Sequence, residues 1–138
     1  MQTVLTYLSF LCAGFLLQAQ NNTITVSIDD IKNNEGVVLI GLYDDPANFL
    51  NKLMVGKAET IEDGRVIATF ENVPDGVYAV SAFHDENEDG EFNMLLGIIP
   101  NESYGTSNGA KGFFGPPKWE DAKFEVKNNE IKKINIDF

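Results

Sequence analysis

From Thr23 the chain alternates strictly, with Ile24, Val26 and Ile28 on one side and Thr23, Thr25 and Ser27 on the other. That is the period of a half-buried strand. Val37 to Tyr43 is a near-continuous run of β-branched and apolar residues, suited to a strand covered on both faces. Lys52 to Ile61 is mixed and interrupted by Gly56, so it reads as an edge strand or an irregular connection. Val66 to Phe70 alternates again. Val77 to Phe83 sets Tyr78, Val80 and Ala82 against Val77, Ala79, Ser81 and Phe83, and it delivers His84 and Asp85 to the mouth of a long loop. Trp119 to Val126 and Ile131 to Phe138 are two last alternating runs. They meet at Asn128-Asn129, whose tolerance of left-handed backbone predicts a hairpin.

Turn chemistry separates these runs. Asn33-Asn34-Glu35-Gly36 and Glu62-Asp63-Gly64-Arg65 read as turns. Asn72-Val73-Pro74-Asp75-Gly76 places proline for a fixed φ and Gly76 for a positive one. Asp45 before Pro46 predicts a single capped helical turn through Asn48 and Phe49, with proline where its missing donor is not needed. No segment sustains a helical period. The expectation is an all-β chain, a single antiparallel β-sandwich of about seven strands with one long acidic and glycine-rich loop.

The start of the chain breaks this pattern. Met1 to Gln20 carries no charged side chain, and Val4 to Leu17 is apolar with Ala13, Gly14 and Ala19 near its end. This predicts a cleaved secretory signal over residues 1–20 and a single domain over 21–138, exported to the periplasm or beyond the cell. No span would cross a membrane after cleavage. Cys12 falls inside the signal, so the mature chain has no cysteine for a disulfide or a thiolate nucleophile. With 21 acids against 10 bases and a formal charge of -11, polyanionic partners such as nucleic acid are disfavoured and cations favoured.

The acids concentrate in one place. Asp85-Glu86-Asn87-Glu88-Asp89-Gly90-Glu91-Phe92-Asn93 matches the front of a calcium loop, D-x-[DN]-x-[DN]-G. A tightly curled backbone aims side chains one, three and five at one centre, and glycine at six permits the reversal. The candidate metal residues are Asp85, Asn87, Asp89, Glu91 and Asn93, with Ca2+ as the ion because oxygens outnumber imidazoles and thiolates. Glu86 and Glu88, at even positions, are expected to face solvent. Position twelve is Leu96, which excludes an EF-hand and leaves Glu102, Glu120 and Asp121 as candidates to close the shell. The competing reading is an acidic surface turn whose side chains bond local amides.

His84 is the only histidine. Beside Asp85 it invites a hydrolase reading with Asp85 or Glu102, but no nucleophile context accompanies it, and a lone histidine at a strand end usually bonds a loop carbonyl. The stretch Tyr104 to Pro117 mixes aromatics with glycines. Either Phe113, Phe114 and Trp119 plug the end of the sandwich, or Tyr104, Phe113 or Trp119 form a platform, with His84, Glu102 and Asn108, for a carbohydrate, peptide or protein ligand.

The succession NVPDGVYAVSAFHDENEDGEF, GIIPNESYGTSN and FGPPKWEDAKFEV resembles the family of secreted bacterial proteins called domain of unknown function 2141. Pro74, Gly76, Tyr78, His84, Asp85, Asn87, Asp89, Gly90, Glu102, Tyr104, Gly105, Ser107 and Asn108 carry the likeness. Family members commonly have Asp at the place of Asn93 and Lys at that of Asn101. The resemblance implies a Greek-key sandwich of the transthyretin-like or carboxypeptidase-regulatory-domain-like kind, and no activity. The expected role is a non-enzymatic exported module whose calcium-like loop shapes a binding surface. A purely structural envelope protein is the alternative.

Overall fold

The computed structural model describes residues 21–90, 102–112 and 115–138. The expected signal at 1–20, Glu91 and Asn93 of the candidate loop, and Phe113 and Phe114 lie outside the described residues. No helix among the described residues is long and apolar enough to cross a membrane.

The described residues form two packed sheets, the all-β sandwich expected. One sheet has the order β4-β1-β8, from β1 (Asn22–Ile28), β4 (Val66–Val73) and β8 (Ile131–Ile136). The other has the order β3-β2-β5-β6, from β2 (Val37–Tyr43), β3 (Val55–Thr60), β5 (Gly76–Asp85) and β6 (Tyr104–Thr106). A further short strand, β7 (Phe124–Val126), pairs with the start of β5 along the edge that β6 occupies at its end. Alternation does the work in β1, whose Ile24, Val26 and Ile28 are completely buried. They meet Val38, Ile40 and Leu42 of β2 and Tyr78, Val80 and Ala82 of β5 in one core between the sheets. Each such aliphatic side chain contributes roughly 1.5–3 kcal/mol by leaving water. β5 is buried from Tyr78 to Asp85, because β2 lies on one side, β6 and β7 share the other, and both its faces are covered.

The local devices are those expected at several points. Asp45 caps a 3-10 turn (Pro46–Asn48), accepting from the Ala47 N–H at 2.9 Å. Asp63 and Gly64 both take left-handed backbone, at φ 52° and 71°, in the Glu62–Arg65 turn. β3 is an edge strand whose sheet partner is β2 alone.

Five expectations are corrected. Trp119 to Val126 is not one strand but a helical turn, α1 (Trp119–Ala122), followed by β7. Asn128 and Asn129 are left-handed, at φ 61° and 54°, yet they join no hairpin, since β7 pairs with β5 while β8 pairs in parallel with β1. The sandwich is therefore antiparallel everywhere except at β1–β8. Asn129 Oδ1 accepts from the Asn21 N–H and Asn22 Oδ1 from the Glu130 N–H, which ties the turn to the start of β1 and sends the chain into the other sheet. Finally, Asn72 supplies the positive φ of 55° before Pro74, not Gly76, and β5 runs on through His84 and Asp85.

Candidate cation site at the end of β5

The last two residues of β5 are polar and completely buried. Their surroundings follow from three chain segments that the sequence keeps apart. The Asn33–Gly36 turn lies directly against them. Gly36 has φ +67°, and a Cβ there would stand 2.1 Å from the Asp85 carbonyl oxygen, so only glycine permits this approach. The Asp85 side chain then folds its own loop. Its Oδ1 accepts from the Asp89 N–H at 3.2 Å and its Oδ2 from the Gly90 N–H at 2.9 Å. Glu88 and Gly90, at φ 56° and 76°, provide the curl. A Cβ on Gly90 would meet nothing, so glycine is there for backbone and not for space.

From the third segment, the Ser103 carbonyl accepts from the His84 N–H at 2.8 Å. This brings Glu102 beside the same strand end. Burial pushes the Glu102 carboxyl above its usual range, the negative charges of Asp85, Asp89 and Glu86 push it the same way, and His84 opposes them weakly. Four carboxylates therefore share one neighbourhood. No cationic side chain pairs with Asp85 among the described residues.

His84 is oriented from behind. Its Nε2 lies 2.6 Å from the Glu35 carbonyl; a carbonyl only accepts, so Nε2 carries the proton. In the neutral ring Nδ1 is then a lone pair. It stands 3.8 Å from Glu86 Oε1, beyond hydrogen-bonding distance. Nδ1 of His84 and Oε2 of Glu102 are buried atoms without a hydrogen-bond partner among the described residues.

The structure thus brings Asp85, Glu102 and His84 of the expected residues together and adds Glu86, which was expected to face solvent and instead lies half-buried against the imidazole. Asn87 and Asp89 are on the exposed part of the curl. Among the described residues, no three His, Cys, Asp or Glu side chains already surround a common point. Of the shell-closing candidates, Glu102 is in the cluster, whereas Glu120 and Asp121 belong to α1, where Glu120 pairs with Lys123 at 2.7 Å. A fully buried imidazole with its Nε2 committed to a carbonyl does not suit the general-base role weighed for a hydrolase.

The other ligand candidates divide. Tyr104 on β6 is 53% exposed and available to a partner. Asn108 is a brace: its Nδ2 donates to the carbonyls of Asp121 and Lys123, at 3.3 and 2.8 Å. Ser107 does the same from within, donating to the Ala122 carbonyl at 2.6 Å and accepting from the Val80 N–H at 3.0 Å. These two side chains satisfy the carbonyls that end α1 and pin it to β5. Gly105 passes so close to β8 that a Cβ would lie 2.4 Å from the Asp137 carbonyl. Trp119 stacks edge-on with Phe49, centroids 5.8 Å apart, and Phe49 likewise with Tyr43, which supports its reading as a packing residue. At the opposite end of β5, an open cleft of about 370 Å³ is lined by Asp44, Met54, Pro74, Asp75, Val77 and Tyr78.

Residues 26–134 match the family described as an uncharacterized protein conserved in bacteria, DUF2141. No curated protein matches the chain, and no solved structure matches it. The match spans most of the chain, and the protein belongs to this family.

Proposed function

We propose that this family member is an exported, non-catalytic binding module whose Asp85 end is organised by a divalent cation, with Tyr104 exposed beside it for a ligand. Calcium is the ion that the oxygen donors of the D-x-N-x-D-G curl suit. The observation that carries this reading is the fully buried Asp85 carboxylate, which holds two loop N–H groups in a cluster of carboxylates. A buried anion that is neither paired nor neutralised costs several kcal/mol, and a cation at the cluster removes that cost. Export rests on the uncharged, apolar start of the chain.

Calorimetric titration of residues 21–138 with Ca2+ tests the reading. One equivalent binds, and at free calcium about a hundredfold above Kd the melting temperature rises by roughly 10 °C, the equivalent of about 2.7 kcal/mol. Asp85→Asn keeps the shape of the side chain and abolishes both responses. Absence of heat and of any melting shift at millimolar calcium in the wild-type chain removes calcium from the account.

A further inference from the structure

At the Asp85 end, the two buried atoms that lack a partner among the described residues are of different chemistry, and calcium accounts for only one of them. An orphaned carboxylate oxygen, Glu102 Oε2, suits any hard cation. A lone pair on imidazole nitrogen does not, because calcium takes oxygen donors. Nothing in the core calls for that nitrogen to be left unpaired, and a buried polar atom without a partner is a standing cost.

The ring is held as a metal-ligating histidine is held. One nitrogen donates to a backbone carbonyl, Glu35, fixing the ring plane and leaving the other, Nδ1, buried and without a hydrogen-bond partner among the described residues. Beside it stands a carboxylate oxygen, Glu86 Oε1, 3.8 Å away, which also accepts from Asn33 Nδ2 at 3.5 Å. A lone pair facing an anion is unfavourable, and either a proton on Nδ1 or a metal ion between the two atoms relieves it. Two bonds of ~2.0–2.1 Å to a zinc-class ion span about 3.3 Å at a tetrahedral angle, so the observed gap is already near that span, and a small rotation of the Glu86 side chain closes it. Glu102, in the same field of charge, supplies a second carboxylate with a free oxygen.

We infer that the cation site proposed above takes a divalent transition metal of the zinc class, with His84 Nδ1 as its nitrogen ligand and the carboxylates of Glu86 and Glu102 as oxygen ligands. The inference rests on that site being a cation site at all, and it changes which ion the site prefers. Imidazole with carboxylates is a zinc-type donor set, which leaves the remaining coordination to water or a ligand group.

The chain has one histidine, so histidine-labelled untagged protein, residues 21–138, gives an unambiguous readout. Long-range proton–nitrogen NMR resolves the two ring nitrogens of this sample without metal. On addition of Zn2+ the Nδ1 resonance moves to a metal-bound position, saturating at one equivalent, while Nε2 keeps its proton. Glu102→Gln, whose side chain has no structural partner to lose at Oε2, weakens Zn2+ binding by roughly tenfold or more. Zn2+ that leaves Nδ1 unmoved overturns the inference. If Ca2+ still raises the melting temperature in that case, the calcium reading stands without a nitrogen ligand; if neither ion has an effect, both fall together. Equal Zn2+ affinity in Glu102→Gln and wild type overturns the carboxylate assignment.

Discussion

The two ends of β5 carry similar amounts of buried polarity and treat it in opposite ways. At the Gly76 end every such group has a protein partner. The Tyr78 hydroxyl donates to the Pro74 carbonyl at 2.7 Å, and Asn22 Nδ2 donates to the Val73 carbonyl at 2.9 Å and to Asp75 at 2.7 Å. Farther along, Ser107 satisfies both Val80 and Ala122. At the Asp85 end the backbone is equally well tied, yet the side chains are acids facing acids, and the two buried atoms without a hydrogen-bond partner among the described residues lie there. One end of the strand is finished by the polypeptide alone. The other has its geometry fixed and its charge uncompensated, as a site built for something outside the chain would.

The largest effect should come from breaking the wall of the charged end. Gly36→Ala forces a Cβ onto the Asp85 carbonyl and a side chain into left-handed backbone. Equilibrium denaturation should show a loss of about 3 kcal/mol, with little relief from added cation. At the finished end, Ser107→Ala leaves the buried Val80 N–H and Ala122 carbonyl short of a partner and should cost about 2 kcal/mol with or without metal. A loss smaller than that of an ordinary surface substitution would mean that α1 is held by other means.

Tyr78→Phe is a gentler probe of the same end, removing one hydrogen bond at a cost of about 1 kcal/mol. It carries a pH signature as well. Burial, then the charges of Asp44 and Asp75, hold the Tyr78 hydroxyl above its ordinary value of 10.0. The unfolded chain therefore gives up this proton first. The stability it contributes is fully present below pH ~10 and is lost as pH rises through the folded-state value. Denaturation midpoints above pH 10 should fall more steeply in wild type than in Tyr78→Phe; parallel curves would place the alkaline loss elsewhere.

These contrasts also show what the sequence could and could not convey. Where burial on one face dictates the period, as at Ile24, Val26 and Ile28, or where a side chain bonds its own neighbours, as Asp45 does at the Pro46 turn, local pattern suffices. The parallel pairing of β8 with β1 joins residues more than a hundred positions apart, and no local spacing encodes it. α1 is four residues long, too short to display a period, and its end is stabilised by Ser107 and Asn108, which sequence reading had offered partly as ligand contacts. At the charged end, the density of acids from Asp85 to Asp89 was legible, as was the curl at Gly90. The part played by Glu86 was not, because its place depends on Asn33, which donates to its Oε1, and on the nearby ring of His84, itself set by the carbonyl of Glu35. A glycine in the Asn33–Gly36 turn was the only local trace of that approach, and it read as ordinary turn chemistry.

The smallest substitution gives the most direct test. Glu102→Gln removes one negative charge from a cluster where burial and three other acids already hold that carboxyl's pKa above its usual value. Thermal melting of wild type and Glu102→Gln should be compared at neutral pH in chelator and again with saturating divalent cation. If a cation completes the Asp85 end, Glu102→Gln melts at or above wild type in chelator, and below it once the ion is added. The same order in both conditions, with no gain from the ion in either chain, would contradict the account.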